Sequence, residues 1–230
     1  MTLSEVQAEL ARAGLYTARV DGLWGPRTEA AMQQALTGSG ARLTAADVQE
    51  AADLLRCTPA HVWAVCDVEA GPGGGFDKAT KRPLILYEPH IFSRLTKRRF
   101  DASHPEVSYR EWRTRPYPKG QGERYEQLFT AMKLDPGAAL ESASWGLFQI
   151  MGMNSALCGY SDPLSFARDH AKGEREHLVA FCRFMGARGI ADDLRRGDWD
   201  AVARVYNGPG QVARYGRLLR EAHARRARAA

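Results

Sequence analysis

Apolar residues recur at helical spacing in segment after segment of this chain, and that period constrains the fold more than any other feature. Leu178, Phe181, Cys182 and Met185 stand at i, i+3, i+4 and i+7. Val48, Ala51, Ala52 and Leu55 form a similar stripe, and YEQLFTAMKL, HLVAFCRFM and WDAVARVY share the period. One run alone, PLILYE at 83–88, reads as a strand. The stretch from Phe100 to Gln121 is polar and rich in Pro, Arg and Tyr, which predicts a long surface loop. The expected class is mainly α, with a small β element after Gly75.

Punctuation divides the chain. Thr2 and Glu5 have capping-box spacing, Val6, Leu10 and Ala13 follow at helical period, and Gly14 can end that helix. After the loop LYTARVDGLWGPRT, Pro26 suits the first turn of a second helix that turns Ala31, Met32 and Ala35 inward. TGSG at 37–40 reads as a short flexible linker. Thr44 and Asp47 then cap a new helix near Leu43, and Thr58-Pro59 opens another. The expected organisation is a module at 1–36, a linker at 37–42 and a larger domain at 43–230. A unit of 36 residues is too small to stand alone and is expected to lean on its neighbour.

The first unit resembles the common peptidoglycan-binding module, which pairs L-x-x-x-G-x-Y with V-D-G-x-x-G-x-x-T. Leu10, Gly14, Tyr16, Val20-Asp21-Gly22, Gly25 and Thr28 carry the match. The resemblance implies a wall-binding role for Tyr16, Asp21 and Trp24. It departs from the family in passing to its linker without a third helix. The alternative is a helical hairpin with no ligand.

The most informative chemistry lies in VWAVCDVEAGPGGGF. On a helix from Pro59 to about Ala70, Val62, Val65, Cys66 and Glu69 share one face, so Glu69 points with core residues. Desolvation and the negative end of the helix dipole both favour its protonated form. Such an acid suits protonation of a glycosidic oxygen. Glycines 71 and 73–75 leave room for a bulky ligand. The competing reading is a solvent-facing Glu at a frayed helix end. The loop lacks G-K-[ST] and G-x-G-x-x-G, so nucleotide binding is not expected.

Two later segments bear on that choice. SASWGLFQIMGMN at 142–154 reads as an apolar helix with Ser144 as a possible cap, interrupted by Gly146 and Gln149. Gln149 needs a partner if buried. In VARVYNGPG, Tyr206 and Asn207 end a helix, where an aromatic and an amide can hold a sugar and its N-acetyl group. The alternatives are a core amide for Gln149 and a helix cap for Asn207.

The order V-E-A-x-x-x-x-G-F, S-W-G-L-F-Q-I-M-G and Y-N-G-P-G resembles the phage endolysin N-acetylmuramidase family, as do RPLILYEPHIF and FDASHP. The resemblance covers roughly Leu43 to Leu219. It implies a lysozyme-like helical catalytic domain that cleaves the β-1,4 bond between N-acetylmuramic acid and N-acetylglucosamine. Glu69 matches the catalytic acid, and Gln149, Tyr206 and Asn207 match cleft-lining positions. Ala70 and Pro72 replace small polar residues of the family pattern. A second carboxylate would come from Asp77 or Glu88. A lytic transglycosylase, using the substrate's own 6-hydroxyl, would need none. No zinc or nucleotide cofactor is required by either chemistry.

Charge and composition bound the partners. The net charge of +5 admits an anionic partner such as wall polymer, lipid surface or nucleic acid. The arginines are dispersed except at the tail, which speaks against a DNA-recognition helix. The basic C-terminus GRLLREAHARRARAA could touch a membrane surface, the plainer reading being a solvated final helix with a frayed tail. Four cysteines at 57, 66, 158 and 182, none in C-x-x-C spacing, read as reduced thiols. The N-terminus has no secretory pattern, so synthesis in a host bacterial cytoplasm and action on periplasmic peptidoglycan are expected, as a monomer. A catalytically silent wall-binding protein is the remaining alternative.

Overall fold

The computed structural model describes residues 1–69 and 71–229. Helix α1 (Leu3–Arg12) starts at a capping box: Glu5 N–H donates to the Thr2 hydroxyl at 3.3 Å, and Thr2 N–H donates to the Glu5 carboxylate at 2.6 Å. Past its end, Gly14 takes φ +72°, and Leu15 N–H returns to the Leu10 carbonyl at 2.9 Å. Helix α2 (Pro26–Ala35) follows with proline in its first turn. Val6, Leu10, Met32 and Leu36 are fully buried and join the same apolar core as the rest of the chain. Trp24 packs on Phe129 with ring centroids 6.1 Å apart, so the small unit does lean on the larger one.

The linker is pinned rather than flexible. Gly38 N–H donates to the Lys81 carbonyl, Ser39 Oγ to the Lys172 carbonyl, and Ala41 pairs with Gly173 as a parallel bridge. A Cβ at Gly38 would overlap the Ala171 carbonyl oxygen, at 1.4 Å. The glycine that looked like a hinge is there for close backbone approach.

Helix α3 (Ala45–Leu55), capped by Thr44 and Asp47, buries Val48, Ala51, Ala52 and Leu55. It packs on α4 (Pro59–Glu69), whose Val62, Val65 and Cys66 are buried. Ala70, placed by sequence at this helix end, lies outside the described residues. Strand β1 (Ile85–Tyr87) leads into α5 (Pro89–Leu95), and the expected long loop precedes α6 (Gln121–Leu134). Then come α7 (Pro136–Glu141), strands β2 (Ala143–Trp145) and β3 (Ile150–Met151), α8 (Pro163–His170) and α9 (Glu174–Ala187). The chain ends with α10 (Ala191–Arg196), α11 (Trp199–Tyr206) and α12 (Val212–Arg228).

The segment expected as an apolar helix at 142–154 is a hairpin. β2 pairs antiparallel with β1 (Leu86 opposite Ser144) and with β3 (Trp145 opposite Ile150), giving the sheet order β1-β2-β3. Ser144 is thus a strand residue, not a helix cap. The reason lies in the turn: Gly146 and Gln149 both take left-handed backbone, φ +68° and +48°, which a continuous helix cannot contain.

The C-terminus forms the expected final helix, one face solvated and the other packed. α12 packs against α4 and α11 and buries Gly216, Leu219 and Ala222. Arg226 grips Asp67 of α4 with two hydrogen bonds, at 2.8 and 2.5 Å, and lies over the Trp63 ring. Arg226 therefore helps hold the helix that carries Glu69. No described helix is long and apolar enough to cross a membrane.

Candidate active site

Glu69 is the last residue of α4. Its side chain keeps partial access to solvent, yet protein crowds it closely. Its carboxyl pKa is raised to about 7 by burial, which penalises the charged form. Asn207 acts in the opposite direction: its Nδ2 donates to Glu69 Oε1 at 2.9 Å and favours the carboxylate. Burial prevails. No carboxylate among the described residues adds to the rise. The Asn207 Oδ1 atom is buried with no partner, an acceptor left open beside the acid.

Asn207 is the C-cap of α11, its own N–H bonded to Ala203 O at 2.8 Å. The sequence set a helix cap against a sugar-holding amide; the structure shows the cap, with the side-chain amide turned to Glu69. Tyr206, one residue earlier, donates its hydroxyl to the Phe148 carbonyl at 2.6 Å and sets its ring edge-on to Phe181 and Phe184. Burial first, and then the nearby Glu69, push its phenol pKa well above the usual range.

Gln149 sits at the end of the hairpin turn with both ends of its amide engaged. Oε1 accepts from Ser144 Oγ at 2.9 Å, and Nε2 donates to the Gly146 carbonyl at 2.7 Å and the Leu84 carbonyl at 3.3 Å. The amide holds the turn that Tyr206 also grips through Phe148.

The two further carboxylates have other occupations. Asp77 caps its own turn: Oδ1 accepts from Thr80 N–H and Thr80 Oγ1, both at 2.8 Å, which lowers its pKa. Glu88, at the start of α5, accepts a short hydrogen bond from the Tyr117 hydroxyl and has His90 Nδ1 at 3.3 Å.

The glycine loop beside Glu69 is fastened by a residue that sequence reasoning missed. Glu174 is almost fully buried at the start of α9. Its Oε1 accepts from Gly75 N–H at 2.7 Å, its Oε2 from Leu43 N–H at 2.9 Å, and Arg42 Nε approaches at 3.3 Å. His177, one turn further, also supports this region. Its Nδ1 accepts from Leu147 N–H at 3.0 Å, so the ring is neutral with its proton on Nε2, which donates to the His170 carbonyl at 2.7 Å. A Cβ at Gly75 or Gly146 would lie 2.7 or 2.6 Å from that imidazole. The signal was present as a Glu and a His three apart on one helix, but their targets are remote in sequence.

In the N-terminal unit, Gln7 organises the motif residues. Its Nε2 reaches Tyr16 Oη, Asp21 Oδ1, Leu23 O and Thr28 Oγ1 within 3.2 Å, and its Oε1 accepts from Asp21 and Gly22 N–H. Trp24 Nε1 donates to Glu29 at 3.2 Å, and two cavities, of about 380 and 570 Å³, flank its ring.

A protonatable acid at a helix end, an amide against it and a glycine loop alongside make a site suited to general-acid chemistry on a bulky ligand. Residues 58–227 match the family model described as N-acetylmuramidase, so the chain belongs to the N-acetylmuramidase family and is a glycoside hydrolase that acts on peptidoglycan. Among solved structures it is similar to the crystal structure of Burkholderia AP3 phage endolysin. The two are 32% identical, with a TM-score of 0.73, over 99% of this chain and 95% of that one. Comparison with curated proteins gives no match.

Proposed function

We propose that this chain is a phage-type endolysin. It cleaves the β-1,4 bond between N-acetylmuramic acid and N-acetylglucosamine, with Glu69 as the general acid. The observation that carries this reading is the Glu69 carboxyl, held by burial at a pKa of about 7 and hydrogen-bonded by Asn207. At neutral pH a substantial fraction is protonated and able to give its proton to the leaving oxygen. Asn207 Oδ1, open beside it, can accept from a sugar hydroxyl or the N–H of an acetamido group. Gln149 and Tyr206 act on the substrate at one remove, by fixing the hairpin that forms part of the site.

The N-terminal unit, residues 1–36, serves as the wall-binding module, joined through 37–42 to the catalytic domain. With Tyr16 and Asp21 tied into the Gln7 network, the side chain offered to the wall is Trp24, beside its two cavities.

A second reading is favoured by one observation. A retaining glycosidase holds two carboxyl groups ~5–5.5 Å apart, where each strongly shifts the other. Asp77 and Glu88 are engaged by Thr80 and Tyr117 rather than with Glu69. Those contacts favour an inverting hydrolase, with its second group further off, or a transglycosylase that uses the substrate's 6-hydroxyl, over a retaining enzyme. Digestion of purified peptidoglycan by wild type and Glu69→Gln, with products reduced by borohydride and weighed by mass spectrometry, tests both. Reducible muramic acid ends from wild type alone support the hydrolase, and anhydro ends the transglycosylase. Unimpaired cleavage by Glu69→Gln would remove Glu69 from the mechanism.

A further inference from the structure

Away from Glu69, positive charge gathers around one cavity. α5 and the turn after it place His90, Ser93, Arg94, Lys97 and Arg98 around a cavity of about 660 Å³, completed by Arg110 from the long loop. Among the described residues, none of these four Arg and Lys side chains takes part in an ion pair. The nearby carboxylates face hydroxyl groups rather than these cations: Glu88 accepts from Tyr117, and Asp101 from Ser93 and Ser108 at 3.0 and 2.6 Å. Lys97 and Arg98 are consecutive left-handed residues, φ +54° and +62°. That conformation is disfavoured for a residue with a side chain. The tight turn it permits, closed by Arg98 N–H on the Ser93 carbonyl at 2.6 Å, brings both cations beside Arg94.

Two residues beyond Arg110, Trp112 is 51% exposed, with the Arg113 guanidinium over its ring at 4.1 Å. An exposed indole beside several cations suits the boundary between lipid headgroups and acyl chains. Guanidinium groups match phosphate oxygens through paired N–H donors. Four cations without ion pairs in one cavity also exceed what a lone carboxylate would call for.

We propose that this cavity binds phosphate groups, and that its partner is an anionic phospholipid surface into which Trp112 inserts. The site is separate from bond cleavage and does not depend on the role of Glu69. It also moves the membrane contact from the C-terminal helix, where a sequence reading would put it, to α5 and the loop behind it.

The test is sedimentation of the full chain with vesicles of phosphatidylcholine, or of phosphatidylcholine mixed equally with phosphatidylglycerol. Retention on the mixed vesicles alone is expected. The triple variant R94A/K97A/R110A should weaken it on the order of a hundredfold, from about fivefold per cation near a charged surface. R217A/R225A/R228A, which removes the same charge from α12, should weaken it far less. Trp112→Ala should reduce the retention that survives high salt. Peptidoglycan cleavage and thermal melting unchanged in the first triple variant would show that it is folded. Equal loss in the two triple variants would mean net charge rather than a site, and would overturn the proposal, as would retention on phosphatidylcholine alone. Inorganic phosphate and duplex DNA distinguish the sources. If either binds wild type but not R94A/K97A/R110A, while no vesicle retains the protein, the lipid assignment is wrong.

Discussion

Replacing the acid with its amide should stabilise this protein in neutral and alkaline solution. Glu69 has an ordinary carboxyl pKa of 4.5, raised to about 7 in the folded chain. Between those values the folded chain holds a proton that the unfolded chain has released. Stability is therefore full below about pH 4.5 and declines as pH rises towards 7. The gap corresponds to about 3 kcal/mol at most. Glu69 keeps some access to solvent, so about 2 kcal/mol is the better figure. Glu69→Gln removes the ionisation and keeps the shape, and its carbonyl oxygen can still accept from Asn207. At pH 8 the variant should melt about 4–8 °C above wild type. At pH 4, where wild type is protonated, the two should melt together. Calorimetry of both proteins at the two pH values decides the matter. An equal difference at pH 4 and pH 8, or a variant less stable at pH 8, would refute the claim that burial of this carboxyl opposes its charge.

The remaining expectations concern the groups around the acid. Asn207 lowers the Glu69 pKa, so Asn207→Ala should move the alkaline limb of the kcat/KM profile to higher pH, alongside any loss of turnover. A loss of turnover with the limb unmoved would show that the amide does not act on the acid. Glu174→Ala would leave Gly75 and Leu43 N–H buried without their acceptor and should cost about 2–5 kcal/mol in urea unfolding. Glu174→Gln, which keeps one accepting oxygen, should cost less.

Local signals in the sequence were sufficient wherever a contact is local. Thr2 and Glu5 close their box within one turn, Gly14 ends α1, and the spacing of Leu178, Phe181, Cys182 and Met185 gives the buried face of α9. The place of Glu69 followed from the same period. The hairpin at 142–154 escaped because its residues are apolar without alternation, a pattern common to buried strands and buried helices. What decides it is left-handed backbone at Gly146 and Gln149, together with pairing to β1. The linker escaped because glycine serves flexibility and close approach alike, and only the Ala171 backbone distinguishes them. Glu174 escaped because Gly75 lies 99 residues away.

The pairing of Tyr206 with Asn207 shows how the site is assembled from such distant parts. Consecutive residues on a helix point about 100° apart, so neighbours at a helix end can serve two different structures. Tyr206 turns to the hairpin and holds the Phe148 carbonyl, while Asn207 turns to α4 and meets Glu69. The helix must stop there for the second contact to form. Gly208, at φ +92°, and Pro209 end it, leaving the amide at the cap rather than along the helix flank. The same hairpin is held by the Gln149 amide and, through Leu147, by His177 of α9, which also carries Glu174 and with it the glycine loop. The acid, its amide and the loop thus answer to a few buried polar contacts between elements. Burial that keeps Glu69 protonated and contacts that fix its surroundings are two results of one packing arrangement.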